Sequence, residues 1–466
     1  MARDVTVGED KGDLPAQVAG AGPYADADAN AGMDKDTDRG TNDVVGLTQA
    51  LVRIDSSDPG AFEGEVAGFV RGWLESRIGR ARELADEGGR EALGHVFLEE
   101  LEALPGRPCL RAVIPAAGEH DATGMGVTGL SPDDEATTEG LPGLVYCCHQ
   151  DTVVLGDGWD DETPTLGARV LDGRLYGRGS CDMKGGLACA MLAFGSALDE
   201  VALRGRLPRR RMTLLCTVDE EDFMRGIEAA IAAGWVGGTD WVLDTEPTGG
   251  KARMAHKGRS WFELELRGVT AHASTPWRGA DAVAAAAEAV VRIRSAVAAL
   301  ERHPDLGAST VTFGQIEGGY RPYVVPDDCH VWIDMRLVPP AGTDSASGIV
   351  TDALRAAERA VPGCVGSYEV TGDRPPIEAN PQSGLLALLQ EASAEVTGAK
   401  AGIDVFTGYT DGAVVAGTCG NRDCVSYGPG ELEMAHKPNE YVPLADLERV
   451  RAVLCELARR ALWELR

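Results

Sequence analysis

The chain has 466 residues, of which 44% are hydrophobic and 25% charged, which is enough apolar sequence for a large core and more than one domain. Its 73 acidic residues outnumber the 44 Lys and Arg, and the formal charge of −29 argues against nucleic acid or anionic membranes as partners, because phosphate groups require a basic surface. No apolar run approaches the roughly 18 residues needed to cross a bilayer, and no apolar segment follows Arg3 and Asp4. We therefore expect a soluble protein of the cytoplasm.

The first part of the chain alternates between polar and periodic segments. Residues 1–42 are rich in Asp, Gly and Ala, which predicts a flexible acidic tail. From Val44 onward, apolar residues at helical spacing predict helices, and the segments HVFLEEL and PCLRAVIP predict strands. Residues 116–140 are polar and rich in Gly, so we expect a surface loop there.

Three apolar segments predict buried strands, and each runs directly into polar side chains. These segments, with the residues that follow them, are LVYCC with His149 and Asp151, MTLLCTV with Asp219 to Asp222, and WVL with Asp244 and Glu246. Predicted helices alternate with these strands, which indicates a mostly parallel sheet whose ligand sites gather at the carboxyl ends of the strands. Asp182 lies between glycines in GRGSCDMKGG, just before a predicted helix, and adds a carboxylate at another junction.

The order of predicted elements changes at residue 256. Residues 256–373 follow the order β-α-β-β-α-β, which is typical of a ferredoxin-like α+β unit inserted into the first domain. The first domain therefore comprises residues 43–255 and 374–466. The predicted fold class is an α/β domain with a mostly parallel sheet and an inserted ferredoxin-like domain.

Five side chains at these junctions and in the last segment have the chemistry of metal ligands. They are His149, Asp182, Glu221, Glu246 and His436. Two imidazoles and three carboxylates suit a pair of divalent ions that share one carboxylate. We expect zinc, with cobalt or manganese also compatible. Asp244 is an alternative to Glu246, because both follow the same predicted strand.

Two further acids suit supporting roles. Glu220 precedes the candidate ligand Glu221 and remains free to carry a proton. Residues i and i+2 of an extended chain share a face, so the Asp151 carboxylate is expected to orient the imidazole of His149.

Six ordered motifs carry a family resemblance from Val44 to the C-terminus. They are HQDTV, GRGSCDMKGG, DEED, EPTG, GVTAHASTP and GPGELEMAHKPNEYV. In order and spacing the chain resembles the co-catalytic zinc amidohydrolases and metallopeptidases that include acetylornithine deacetylase, succinyl-diaminopimelate desuccinylase, aminoacylase and carboxypeptidase G. The segments around AHAS and HKPNEYV most resemble the acetylornithine deacetylase branch.

The resemblance implies a role for each candidate metal ligand. His149 and Glu246 would hold one ion, Glu221 and His436 the other, and Asp182 would bridge them. With Glu220 as general base, the implied reaction is hydrolysis of the amide bond of an N-acyl amino acid.

The resemblance also concerns the inserted domain. That domain would mediate homodimerisation, His272 would reach the partner's active site to stabilise the oxyanion, and Arg336 would bind a substrate carboxylate. Relatives commonly place asparagine where this chain has Tyr323, a position that would face the substrate. A phenol cannot replace an amide in every hydrogen bond, so this position departs from the family pattern at the substrate.

Other functions remain open on the sequence alone. A dipeptidase or carboxypeptidase would use the same metals, whereas a non-catalytic metal-binding protein would need neither Glu220 nor Asp151. A serine hydrolase is disfavoured because GxSxG is missing around Ser180. A nucleophilic Cys181 is disfavoured because a reactive thiol needs an electropositive setting.

Overall fold

The structure is a computed structural model that describes residues 42–119 and 140–464. The predicted acidic tail, up to residue 41, and residues 120–139 of the predicted surface loop lie outside the described residues.

The described residues form helices α1 to α10 and strands β1 to β19, numbered along the chain. The helices are Val44–Val52, Gly64–Leu84, Glu87–Gly94, Lys184–Arg204, Arg225–Ala232, Ala282–Ala298, Thr343–Ala360, Gly384–Thr397, Asp411–Cys419 and Leu444–Trp463. The strands β1 to β10 are Ser57–Asp58, Phe97–Leu104, Arg107–Ile114, Leu144–His149, Thr152–Val153, Arg169–Leu171, Arg174–Tyr176, Met212–Thr217, Trp241–Asp244 and Ala252–His256. The strands β11 to β19 are Gly258–Arg267, Ala271–His272, Thr310–Gly318, Val324–Val325, Asp328–Leu337, Val365–Arg374, Ile403–Phe406, Cys424–Ser426 and Tyr441–Pro443.

The larger sheet has eight strands in the order β17-β10-β18-β9-β4-β8-β3-β2. Its centre is parallel, because β9, β4 and β8 are neighbours that run in the same direction. The pairs of β3 with β8 and of β2 with β3 are antiparallel. The predicted mostly parallel α/β sheet is therefore confirmed, and the three strands predicted to end in polar residues lie side by side.

Helix α4 is the central helix of the part of the fold that contains the larger sheet, and it packs against α1, α2, α3 and α10. Contrary to the expectation that no segment is long and apolar enough to span a bilayer, α4 meets both criteria. However, 72% of its apolar window is buried inside the protein. An all-round apolar surface is what a helix enclosed by other helices and a sheet requires, so α4 is explained as a core helix.

A second, four-stranded sheet has the order β13-β15-β11-β16, with every neighbouring pair antiparallel. Together with α6 and α7 it gives the ferredoxin-like arrangement expected from the sequence. Phe262, Leu264 and Ile333 share a core with these two helices. Side chains alternate along a strand, so the positions between them point away from the helices. The exact limits of an inserted domain at residues 256–373 stay a prediction.

Two features of the fold differ from the sequence interpretation. Strands β10 and β17, which extend the large sheet at one edge, were not predicted, because they are short and interrupted by Arg253 and Asp404. The two glycines of the segment TGYTDGA predict a loop, but helix α9 begins within it at Asp411. The Thr410 hydroxyl accepts the backbone N–H of Ala413 at 3.2 Å, and this cap starts a helix despite the glycine at position 412.

Candidate metal centre

Three neighbouring strands deliver the candidate site residues to one edge of the large sheet. His149 is the last residue of β4, and Glu246 lies two residues beyond the end of β9. After β8 the backbone turns at Asp219, whose φ is 66°, and this turn brings Glu220 and Glu221 to the same edge. Parallel strands end together, so the order of strands in the sheet determines which side chains meet.

Asp182 lies on the segment that enters α4, and a buried glutamate holds that segment in place. Oε1 of Glu440 accepts the backbone N–H groups of Cys181 at 2.9 Å and Asp182 at 3.1 Å. Its other oxygen accepts a hydrogen bond from Nη1 of Arg178 at 2.6 Å. Glu440 and Arg178 lie in the motifs NEYV and GRG, but the sequence analysis did not identify their role. The residues that they contact are about 260 positions away along the chain, and a local pattern does not reveal such a contact.

The two oxygens of the Asp182 carboxylate face two different histidines. Oδ1 lies 3.1 Å from Nε2 of His149, and Oδ2 lies 3.5 Å from Nε2 of His436. Each histidine also faces a second carboxylate: Nε2 of His149 is 3.9 Å from Oε1 of Glu246, and Nε2 of His436 is 3.0 Å from Oε2 of Glu221. These are the pairings that the family resemblance implies. The structure brings all five candidate ligands together, and their coordination of metal stays a prediction.

The two ring nitrogens of His149 face different groups, with Nε2 toward the Asp182 carboxylate and Nδ1 toward the backbone. Its Nδ1 donates to the backbone carbonyl of Asp151 at 3.0 Å, whereas the Asp151 carboxylate is 3.6 Å away. The backbone carbonyl of Asp151 therefore makes the contact that orients the ring, and the orienting role of the Asp151 carboxylate stays a prediction. Oδ2 of Asp151 instead accepts the backbone N–H of Glu221 at 3.0 Å. This contact fixes Glu221 relative to His149.

Glu220 lies beside the five candidate ligands, but its carboxylate forms no hydrogen bond with them. The residue is buried, and within the described residues its carboxylate makes neither a hydrogen bond nor an ion pair. Burial, followed by the negative charge of Glu246, raises the pKa of Glu220 well above its ordinary value. A carboxyl group with a raised pKa and no partner has the properties of a proton carrier.

The charges of the cluster fit divalent cations. The ligand atoms of His149, Asp182 and Glu221 lie within 4.8 Å of one another, as do those of His149, Glu220 and Glu246. Among the described residues no Lys or Arg forms an ion pair with these carboxylates, and their ion-pair partners are His149 and His436. Hydrogen bonds to Asp182 and Glu221 raise the pKa of His436 to about 10.

A second group of carboxylates lies nearby, but its charge does not call for a divalent cation. Asp58, Glu63 and Asp219 surround Arg107, whose guanidinium nitrogens lie 2.5, 2.6 and 3.2 Å from the three carboxylates. This group is already neutralised by a buried arginine and needs no metal.

Two predicted residues, His272 and Tyr323, lie apart from the cluster. His272 is exposed, and Nδ1 accepts the backbone N–H of Ser274 at 3.1 Å, so Nε2 carries the ring proton. The strand of His272 pairs with Val324–Val325, and the exposed Tyr323 lies next to it. Within this one chain no contact joins either side chain to the described cluster, and the role of both stays a prediction.

The remaining predicted residues have partners that limit their roles. Arg336 forms a two-pronged ion pair with Asp334 of its own strand, at 2.9 and 3.0 Å. Asp244 accepts the Thr410 hydroxyl at 2.8 Å and supports the start of α9, which leaves Glu246 as the ligand candidate at that strand end. Cys181 is buried, and burial raises the pKa of its thiol, so the structure gives no support for a nucleophilic cysteine.

Comparison with known proteins places this arrangement in a family. The model of peptidase family M20/M25/M40 matches residues 145–460. The chain is similar to acetylornithine deacetylase of Myxococcus xanthus, with 28% identity over 339 residues that cover 72% of this chain and 84% of the relative. Aminopeptidase PepT from Bacillus cereus ATCC 10987 has a similar fold, with a TM-score of 0.66 at 20% identity over 90% of this chain and 98% of that chain. The Bacillus subtilis YXEP protein, described as a dinuclear metal binding peptidase, has a TM-score of 0.62 at 14% identity over 92% and 99% of the two chains.

The matched region begins in β4, ends in α10 and contains all five candidate ligands and Glu220. The family model covers more than half of the chain. The chain therefore belongs to peptidase family M20/M25/M40 and is a hydrolase of the peptidase and deacetylase kind.

Proposed function

We propose that this protein removes the acyl group from an N-acyl amino acid by hydrolysis of the amide bond, with two divalent metal ions at the candidate centre. The observation that carries the proposal is the position of Asp182, which presents one oxygen to His149 and the other to His436. A carboxylate shared in this way suits two ions that lie close together.

His149 and Glu246 would hold one ion, Glu221 and His436 the other, and Asp182 would contact both. When bound, the ions supply Lewis-acid chemistry: they polarise the scissile carbonyl and acidify the attacking water. Zinc suits this set of nitrogen and oxygen donors, and cobalt or manganese are compatible alternatives.

The protein's own residues then carry the protons. Glu220, which has no partner in the described residues, accepts a proton from the attacking water and passes it to the leaving amine. Burial raises the pKa of Glu220 above that of an exposed glutamate, which makes its carboxylate a stronger proton acceptor. Asp151 and Glu440 act as positioning residues, because they bind the backbone of Glu221 and of Asp182 respectively.

His272 would serve the site of a partner subunit in a homodimer. Its Nε2–H is the donor that remains available, and an oxyanion requires such a donor. The backbone of Tyr323 is bonded to the segment of His272, because the Tyr323 carbonyl accepts the N–H of Ala273. Tyr323 would therefore reach the partner's substrate together with His272.

The similarity to acetylornithine deacetylases favours deacylation. A dipeptidase or carboxypeptidase is the second candidate, because the fold neighbours include an aminopeptidase and a dipeptidase. A metal-binding protein without catalysis would have no use for the unpartnered Glu220. We also propose a location in the cytoplasm, supported by eleven cysteines that are all free thiols.

The proposal is tested by measuring amine release from N-acetyl, N-succinyl and N-formyl amino acids and from dipeptides, with added zinc or cobalt and again after chelation. Turnover of an acylated amino acid that stops on chelation supports a deacylase, and preference for dipeptides supports the second candidate. Absence of turnover throughout the panel, in protein that retains its metal, contradicts both.

A further inference from the structure

The backbone on both sides of Glu220 is held by a buried carboxylate. On one side, Oδ2 of Asp151 accepts the N–H of Glu221 at 3.0 Å. On the other side, Oε1 of Glu63 accepts the N–H of Asp219 at 3.0 Å. Because the Glu220 carboxylate makes no hydrogen bond within the described residues, its position depends on these two backbone contacts.

Glu63 has no task in its own helix that explains its burial. It is the N-cap residue of α2, but its side chain accepts no hydrogen bond from that helix. The side chain is instead fully buried, and its oxygens bind residues that are 44 and 156 positions away along the chain. A buried carboxylate is unfavourable unless it is paired and hydrogen-bonded, so these distant contacts determine where Glu63 points.

Arg107 holds the Glu63 carboxylate in this orientation. Nε of Arg107 donates to Oε2 at 2.6 Å and Nη2 donates to Oε1 at 2.6 Å, which makes a two-pronged ion pair. The guanidinium lies 4.5 Å from the centre of the Phe62 ring, and its Nη1 is 3.2 Å from Oδ1 of Asp219. Paired bonds and stacking keep a guanidinium in one plane, so Oε1 of Glu63 faces the Asp219 N–H in a fixed position.

The turn at Asp219 requires such a contact. Its φ of 66° is a left-handed conformation that residues other than glycine rarely adopt. The pairing of β8 with both of its neighbouring strands ends before Asp219, so no strand accepts its N–H, and Glu63 supplies the acceptor. The later part of the loop is held separately, because the Asp219 carboxylate accepts the N–H of Arg225 at 3.2 Å and its Nε at 2.6 Å.

We propose that Glu63 is a positioning residue of the hydrolytic reaction, which places the Glu220 carboxylate through the backbone of Asp219. This inference rests on the proposed function, because it assigns Glu63 to the proton carrier of that reaction. Arg107 supports the same placement from one step further away, since it orients Glu63. Loss of the Glu63 acceptor would allow the turn to relax, and a shift of about 1 Å in a reacting group is enough to lower a rate by about 10²-fold.

Asp58 provides a matched control. Its Oδ2 lies 2.5 Å from Nη2 of Arg107, and its side chain is only 6% exposed. Asp58 therefore binds the same nitrogen as Glu63 in similarly buried surroundings. Within the described residues no hydrogen bond joins Asp58 to Asp219, so Asp58→Ala removes a buried carboxylate from Arg107 and leaves the turn intact.

The kinetic test compares metal-loaded wild type with Glu63→Ala, Glu63→Gln and Asp58→Ala. We expect Glu63→Ala to lower kcat by about 10²-fold, while KM and the bound metal stay close to wild type. Glu63→Gln should recover most of this loss, because its amide oxygen can accept the Asp219 N–H as Oε1 does. Asp58→Ala should keep kcat within a few-fold of wild type, and equal losses of kcat in the two alanine variants would overturn the proposal.

The Glu220→Gln background shows whether the effect of Glu63 passes through Glu220. If it does, the variant that combines Glu63→Ala with Glu220→Gln should be no more than about twofold slower than Glu220→Gln alone, since two changes to one device are not additive. A further fall of about 10²-fold in the combined variant would overturn the proposal.

Hydrogen exchange measured by mass spectrometry separates this proposal from the proposed function, because it requires no turnover. In Glu63→Ala the Asp219 amide loses its acceptor, so deuterium uptake by the peptide with residues 218–221 should be at least about 10-fold faster than in wild type. Uptake in Asp58→Ala should match wild type. If this difference is found but the wild type hydrolyses no compound of the panel, the proposed function fails and Glu63 is still supported as the residue that holds the turn. Unchanged uptake in Glu63→Ala would overturn the proposal whatever the enzyme hydrolyses.

Discussion

Glu440 accepts the backbone N–H of Asp182 at 3.1 Å, and through this bond a glutamate far along the chain holds the carboxylate that faces both histidines. The same glutamate neutralises Arg178, which is itself buried. We expect Glu440→Ala to lower the free energy of unfolding by about 3 to 5 kcal/mol, because removing one partner of a buried ion pair leaves the other charge uncompensated. Urea unfolding measures this loss.

Glu433→Ala is the control for this prediction, since Glu433 is exposed in the same segment, and its effect should stay within about 0.5 kcal/mol. Equal stability of the two variants would show that the Glu440 ion pair contributes nothing to the fold.

Glu220→Gln tests the proton carrier. The amide preserves the size of the side chain but cannot accept the proton, so kcat should fall by about 10² to 10⁴ while the bound metal stays the same. Changing the partly exposed neighbour Asp222 to Asn should leave kcat within a few-fold of wild type. Near-normal turnover of Glu220→Gln at full metal content would remove Glu220 from the reaction.

His256 gives the protein a predictable sensitivity to acid. Burial, with the positive charge of Arg253 adding to it, lowers the pKa of His256 from about 6.5 to about 3. Below pH 6.5 the unfolded chain binds a proton at this residue and the folded chain does not. This contribution to stability is therefore complete above pH 6.5 and is lost as the pH falls toward 3.

Between pH 7 and pH 4.5 the loss from His256 amounts to roughly 3 kcal/mol. His256→Phe keeps the contacts with Phe406 and Tyr409 but removes the titration, so its unfolding free energy should fall less over this range than that of wild type. Parallel pH profiles for the two proteins would show that His256 is protonated in the folded state.

We expect the cysteine thiols to be unreactive at neutral pH and unnecessary for turnover. Burial raises the pKa of the Cys181 thiol, and its sulfur lies 3.4 Å from the carbonyl oxygen of Glu431. Iodoacetamide at neutral pH should therefore leave turnover intact, and Cys181→Ser should retain kcat within about tenfold, because loss of a true nucleophile costs far more. Rapid inactivation that maps to Cys181 would reopen a thiol mechanism.

The local pattern of the sequence was sufficient to predict that His149, Glu221 and Glu246 meet at the centre, whereas Asp182 and His436 do not follow any of the three strands. Three apolar runs each end in polar residues, and parallel neighbouring strands must place these ends together. Apolar periodicity likewise predicted the ferredoxin-like order of elements between β11 and β16. Such features depend only on residues close together in the chain.

Contacts between distant segments could not be predicted in this way. The hydrogen bond that the Asp182 backbone N–H donates to Glu440 joins residues 258 positions apart. The contact of His149 with the Asp151 carbonyl, instead of the carboxylate, depends on backbone geometry that the sequence pattern does not specify. Helix α9 was missed because one hydroxyl, that of Thr410, determines where it begins.

The most direct test of the account is amine release from an N-acyl amino acid by chelator-stripped protein to which zinc is added in stoichiometric steps. The account predicts almost no turnover in the stripped protein and recovery that is complete when about two zinc ions are bound per chain, in keeping with two histidines that face one shared carboxylate. Full turnover by the stripped protein would contradict a metal-dependent centre at His149, Asp182 and His436.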